Sequence, residues 1–226
     1  MPTELKAAAW AVATLALYAV SRVLYRRWRR WWLSPLLFTW VACGALLVVL
    51  GTSYRDYLRG TDWLVALLGP ATVAFAIPIY EQRRTIARHW AVLLAGVVAG
   101  SAIAVAVSWG LAGLFHLTPD LRASLLPRSI TTPFAMAVSE RIGGLPALTA
   151  AFTAVTGLFG AAVGESLLVW LPLRSAFARG ALFGMGAHGA GVAKARELGE
   201  EEGAVAGLIM IFAGLVNVLG AALLVR

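Results

Sequence analysis

The feature that most constrains this chain is a series of long runs free of Asp, Glu, Lys and Arg: 7–21, 31–54, 63–80, 89–119, 142–164 and 203–225. A helix rises 1.5 Å per residue, so about 18–20 apolar residues cross the hydrocarbon core of a bilayer. Every run but the first is that long, and the first becomes so if Arg22 snorkels to the interface. The end of 89–119, from Phe115 to Pro119, is expected outside the span, and 142–164 continues past Glu165 toward Leu171. Six full spans result. Two shorter uncharged runs, Ser129–Ser139 and Gly180–Ala193, are too short to cross and predict re-entrant or interrupted helices. The expected fold is an all-α polytopic helical membrane protein in one membrane domain, with a pattern that fits an inverted repeat.

Composition excludes the main alternatives. Of 226 residues, 60% are hydrophobic and 13% are charged, whereas soluble domains carry about 25% charged residues. Too little polar surface remains to coat a soluble globule. The single cysteine, Cys43, forms no internal disulfide and has no neighbouring ligands in sequence, so no metal or cofactor is expected. The net charge of +8 is concentrated in loops. Arg22, Arg26, Arg27, Arg29 and Arg30 follow the first span; Arg83, Arg84 and Arg88 follow the third. The positive-inside rule places both loops in the cytoplasm and both termini in the periplasm. These patches read as topology signals and contacts to anionic membrane lipid rather than nucleic-acid sites. The first span reads as a signal anchor rather than a cleaved leader.

Small-residue pairs Gly96/Gly100, Gly160/Gly164 and Gly203/Gly207 predict close helix packing. Four stretches break the apolar pattern. Pro70 and Pro78 interrupt the third span on either side of Thr72, releasing backbone carbonyls that must face protein, water or substrate. In Pro127–Glu140, Thr132 before Pro133 predicts a capped helix start. At membrane depth its first-turn N–H groups and positive dipole end would attract an anion, with Arg128, Ser129 and Thr131 adding charge and hydroxyls. In Gly180–Lys194, five glycines in twelve residues, among them Gly186, Gly189 and Gly191, let backbone approach a ligand. His188 lies there inside an apolar run and is the proton-coupling candidate. Glu197–Gly203 reads as a solvated loop, and Asn217 as a cross-link between helices.

Leu68–Gln82 (LGPATVAFAIPIYEQ), Leu126–Leu148 (LPRSITTPFAMAVSERIGGLPAL) and Gly184–Gly214 (GMGAHGAGVAKARELGEEEGAVAGLIMIFAG) closely resemble the LrgB/CidB family of membrane proteins. The resemblance covers roughly 61–226, with the two spans of 1–60 carrying little of it. It implies a bacterial inner-membrane protein of one of two kinds. One is a secondary transporter of small carboxylates, of the glycolate, glycerate, pyruvate or lactate class. The other is an antiholin-like modulator of murein hydrolase activity, autolysis and cell death. It also implies a holin-like membrane partner of the LrgA/CidA type and a homo-oligomer. Ser129, Thr131, Thr132 and Pro133 match the family's PKSxTTP motif, with Arg128 where lysine is usual. His188, Gly189, Gly191 and Ala195 match a second motif, while Ala187, Val192 and Lys194 replace its serine, threonine and arginine. The broken helices, helix start, glycines and His188 favour the carrier. A lytic pore needs only apolar helices, and an enzyme built on His188 and Ser129 lacks a group to orient the base.

Overall fold

The computed structural model describes residues 3–28, 30, 33–74 and 76–224; the side chains of residues 3, 4, 71, 72, 78 and 224 lie outside that description. Arg29 of the first basic loop falls outside it, as do the side chains of Thr72 and Pro78. The described residues are helical with short connections and carry no strand. Four helices among them are long and apolar enough to cross a membrane: Leu5–Trp28, Arg83–Leu114, Pro146–Trp170 and Glu200–Leu223. This is an all-α, multi-pass membrane protein. The chain divides into two compact units, Met1–Ala71 and Thr72–Arg226.

The first unit contains α1 (Thr3–Trp28), α2 (Pro35–Val49) and α3 (Tyr54–Ala66), with α1 against both others. The second span predicted over 31–54 is shorter than its uncharged run. Ser34 caps α2, its hydroxyl accepting from the Leu37 N–H, and Pro35 opens the helix. At 15 residues α2 is about 22 Å long, short of a full hydrocarbon core. The third predicted span, 63–80, is also not one helix. It is divided among the end of α3, α4 (Leu68–Ala74) and α5 (Ala76–Glu81). Pro70 and Pro78 account for this, since each lacks an N–H and crowds the carbonyl four residues back.

In the second unit, α6 (Arg83–Leu114), α9 (Pro146–Trp170) and α11 (Glu200–Leu224) are the long helices. Between α6 and α9 come α7 (Pro119–Leu125), a 3-10 turn (Leu126–Ser129) and α8 (Thr132–Arg141). Between α9 and α11 lies α10 (Ala176–Leu198), in which His188 leaves helical geometry at φ 37°, ψ −120°. The core is apolar: Leu93 and Val97 of α6, Ile130, Ala135 and Val138 of the α8 segment, and Val205, Ile209 and Ala213 of α11 pack together. The Phe134 ring lies on Gly214, where no larger residue fits.

Both short segments turn back on themselves. The run 180–194, expected as a re-entrant or interrupted helix, is interrupted by a break within α10, and the chain reverses there. Phe183 meets α9 at Gly164, while Lys194 reaches Glu165 at 3.0 Å, so residues on opposite sides of His188 stand at one height. Gly191 packs against the Phe183 carbonyl with no room for a Cβ. The reversal of direction is completed by Arg196, which packs on Gly203 at the start of α11. The α7–α8 segment does the same from the other end of α9. Ser124 and Ser139, on its two arms, both meet Thr149, while Arg128 between them reaches deeper, to Thr156. The unit therefore alternates long helix, hairpin, long helix, hairpin, long helix.

Of the small-residue pairs, Gly160 and Gly164 lie against Gly186 and Phe183, and Gly100 against Met185. A Cβ at Gly96 or Gly207 would meet nothing within 4 Å on another element among the described residues. Asn217 donates to Ser101 at 2.9 Å, linking α11 to α6. The acidic stretch is not all solvated. Glu202 is buried and accepts from Arg179 Nε at 3.0 Å and Nη2 at 2.5 Å. Arg179 also donates to the carbonyls of Leu173 and Arg174, which fixes the base of the α10 hairpin to α11.

Candidate functional site

The α7–α8 arms are held by hydroxyls rather than by apolar contact alone. The Thr149 hydroxyl lies 2.6 Å from Ser139 Oγ and 3.0 Å from the Ser124 carbonyl, and Ser124 Oγ accepts from the Leu145 N–H at 2.8 Å. All three side chains are fully buried. Satisfied in this way they cost little; unpaired in an apolar setting each would cost a few kcal/mol, about 1–3 by protein mutation. The network holds the outer arms and leaves the turn, residues 126–131, to reach inward.

At that turn, Arg128 Nε donates to Ser108 Oγ of α6 at 3.1 Å and its Nη1 to Thr156 Oγ1 of α9 at 3.3 Å. No carboxylate among the described residues lies within ion-pairing distance of Arg128. The helix that follows begins one residue differently than expected. Thr131, at φ −62°, ψ 142°, is the N-cap of α8; Thr132 is its first helical residue and Pro133 its second. Proline is tolerated in the first turn, where its missing N–H has no partner to lose, so one register is as compatible as the next. The Thr131 hydroxyl is buried yet makes no capping hydrogen bond. Thr132, Pro133 and Ser129 are half-buried around it.

The α10 tip meets this turn. His188 is 4% exposed and stands against Gly157, the twelfth residue of the 25-residue α9. Its ring lies within hydrogen-bonding reach of the Arg128 backbone. Its Nε2 is buried with no hydrogen-bond partner among the described residues. A non-glycine residue at this φ is strained, at a cost of about 1–3 kcal/mol. The surrounding packing imposes it: Ala187, Gly186 and Gly191 are wedged against Gly160 and Phe183.

Thus Arg128, Thr131 and His188 come together at mid-depth of the unit, with Ser129, Thr132 and Pro133 alongside. Two glycines do not join them. Gly186 and Gly189 are exposed, with open space where a Cβ would be, and flank the tip. Gly191 is buried against the Phe183 carbonyl where α10 reverses. Sequence reasoning missed Ser108 and Thr156. Each is one of several hydroxyls on a long apolar helix, and nothing local distinguishes it from a side chain bonding its own backbone. No group of three or more His, Cys, Asp or Glu among the described residues could hold a metal ion.

Residues 14–226 match the sequence model of the LrgB-like family, so the match extends into α1. An uncharacterised protein of Bacillus subtilis, YwbG, is 38% identical over 92% of each chain. The antiholin-like protein LrgB of Bacillus subtilis is 33% identical over 92% of this chain and 90% of its own. The holin-like protein CidB of Staphylococcus epidermidis is 31% identical over 96% of this chain and 95% of its own. No solved structure matches.

Proposed function

The chain belongs to the LrgB-like family, and from that premise we propose that it is a bacterial inner-membrane carrier of small carboxylates. The observation that carries this reading is the meeting of two re-entrant tips at mid-depth, with a cation, a buried hydroxyl and a buried imidazole between them. Interrupted helices whose ends meet near the midplane are the geometry by which many secondary transporters expose one site alternately to two sides. The α8 start directs its positive dipole end toward the tips and favours a carboxylate there. The substrate class is glycolate, glycerate, pyruvate or lactate. His188 supplies or relays the coupling proton: an imidazolium beside Arg128 sets two cations together, and a bound carboxylate offsets them.

Counter-flow in proteoliposomes against a panel of short carboxylates tests the reading. Saturable exchange of at least one acid is the expected result; no exchange by folded protein would remove the carrier. In the same vesicles, His188→Ala should flatten the dependence of uptake on a proton gradient while leaving some exchange.

A second reading has support of its own. The relatives' names, antiholin-like LrgB and holin-like CidB, favour a modulator of murein hydrolase activity and autolysis, and favour it more directly than they do a carrier. On this reading the chain works with a holin-like partner of the LrgA/CidA type. Autolysis rates in cells with and without the chain, each with and without the partner, test it. A lysis phenotype retained when exchange is abolished by a tip substitution would place the modulator first. In either case the proposed orientation sets Arg26–Arg30, Arg83–Arg88 and Lys194–Glu202 in the cytoplasm and both termini in the periplasm. Membrane-impermeant labelling of a cysteine at position 85, in a Cys43→Ala background, from outside intact cells would reverse it. A homo-oligomer is proposed as well.

A further inference from the structure

We propose that a bound carboxylate bridges the two hairpin tips, accepting from the Arg128 guanidinium on one side and from Nε2 of His188 on the other, with Ser108 and Thr156 as the residues that hold Arg128 ready for it. The inference rests on the carboxylate reading above and adds residues and a geometry to it.

Three observations converge. Arg128 is an arginine at mid-depth of a membrane unit with only neutral hydroxyls as side-chain partners among the described residues. A charge in low dielectric is costly unless paired, and a guanidinium is built to bind a carboxylate with two parallel N–H groups. Here the hydroxyls occupy Nε and Nη1 and so fix the plane of the fork. Second, His188 Nε2 is buried and unpartnered beside that same arginine. Such groups in native structures are ordinarily satisfied, so this one marks a partner that comes and goes. Third, His188 is held in a strained backbone conformation at the tip itself. Strain of this kind persists where the fold enforces it, and it collects at ligand sites. The α7–α8 tip offers the guanidinium N–H groups that the hydroxyls leave open, and the α10 tip offers Nε2. A carboxylate has two oxygens and satisfies both at once. Occupancy then ties the α7–α8 tip to the α10 tip, so that the two hairpins respond to ligand together.

Ser108 and Thr156 are positioning residues on this account. They belong to α6 and α9, the rigid helices between which the tips lie. Without them the guanidinium keeps its charge but loses its aim.

The test is equilibrium binding of acetate, and separately of glycolate, to the purified full chain in detergent, with thermal unfolding of the empty protein measured beside it. Losing a charge-assisted hydrogen bond lowers affinity roughly 10- to 100-fold, the expected effect of Arg128→Gln. Arg128→Lys should recover part of that loss. Ser108→Ala combined with Thr156→Val should weaken binding about 3- to 10-fold, a loss the size of one neutral hydrogen bond. A structural role for Arg128 makes the opposite forecast for the empty protein. If the arginine awaits a ligand, Arg128→Gln melts at or above the temperature of the unaltered chain; if it is a strut, the variant melts lower. Unchanged affinity in Arg128→Gln or in His188→Gln overturns the bridge, as does a destabilised Arg128→Gln that still binds. Counter-flow separates this from the carrier reading. Exchange that survives Arg128→Gln overturns the bridge and leaves the carrier; carboxylate binding lost in Arg128→Gln, with no exchange in unaltered vesicles, supports the bridge and removes the carrier.

Discussion

The two re-entrant hairpins reach the same depth of α9 by different means. The α7–α8 hairpin spends several residues on its turn, passes through a 3-10 segment, and holds its arms with the buried hydroxyls of Ser124, Ser139 and Thr149. The α10 hairpin reverses around one residue, His188, and depends on glycine contacts along its arms and an ion pair at its base. The first has a relaxed turn and a polar scaffold; the second has a strained turn and a close-packed one. The lesson is that a chain without water to satisfy its backbone can turn back inside a membrane either by adding hydrogen bonds or by excluding the need for them.

The comparison predicts an ordered set of effects. The largest belongs to the close-packed arm. Gly191→Val drives a branched side chain into the Phe183 carbonyl, and should cost about 3 kcal/mol or prevent folding, read as loss of the detergent-resistant folded fraction. Gly189→Val, at the open side of the same tip, should be tolerated far better. If the two behave alike, the α10 arms do not pack as described.

Next is the strained residue. At ordinary helix positions glycine is about 1 kcal/mol worse than alanine. At position 188 the order should invert, with His188→Gly more stable than His188→Ala by about 1–2 kcal/mol, because glycine adopts φ 37° without strain. Thermal unfolding of the pair measures it, and alanine melting above glycine would contradict the strain.

The hydroxyl scaffold should respond more moderately. Thr149→Val keeps the shape and removes the bonds to Ser139 and the Ser124 carbonyl, for an expected loss of about 1–2 kcal/mol. The smallest effect falls on the α8 cap. A Thr→Ala change at an N-cap usually costs about 1 kcal/mol, but the Thr131 hydroxyl makes no capping bond, so Thr131→Ala should leave stability nearly unchanged while weakening carboxylate binding. A clear fall in melting temperature with unaltered binding would make it an ordinary cap.

Much of this was legible in the sequence, and the exceptions share a cause. The uncharged runs located α1, α6, α9 and α11 because crossing a bilayer is a requirement on length and polarity, both local properties. At 31–54 and 63–80 the helices are shorter than the uncharged runs, because Ser34–Pro35 sets the start of α2 and the prolines at 70 and 78 interrupt what apolarity alone would extend. The polar motifs around Arg128 and His188 stood out for the same local reason, since groups so costly in an apolar run need an account.

The sequence by itself determined that the chain is a bundle of membrane helices with two short polar interruptions, because each position's cost in lipid is set by its own chemistry. Only the tertiary structure decided that the interruptions turn back, that Thr131 rather than Thr132 caps α8, that Gly186 and Gly189 face open space, and that Ser108 and Thr156 hold Arg128. Those are facts about which distant residues share a height along α9. Height is fixed by packing between helices, at contacts such as Gly160 on Gly186 and Gly191 on Phe183, and a backbone distance of a few ångströms leaves no mark in the order of residues along one chain.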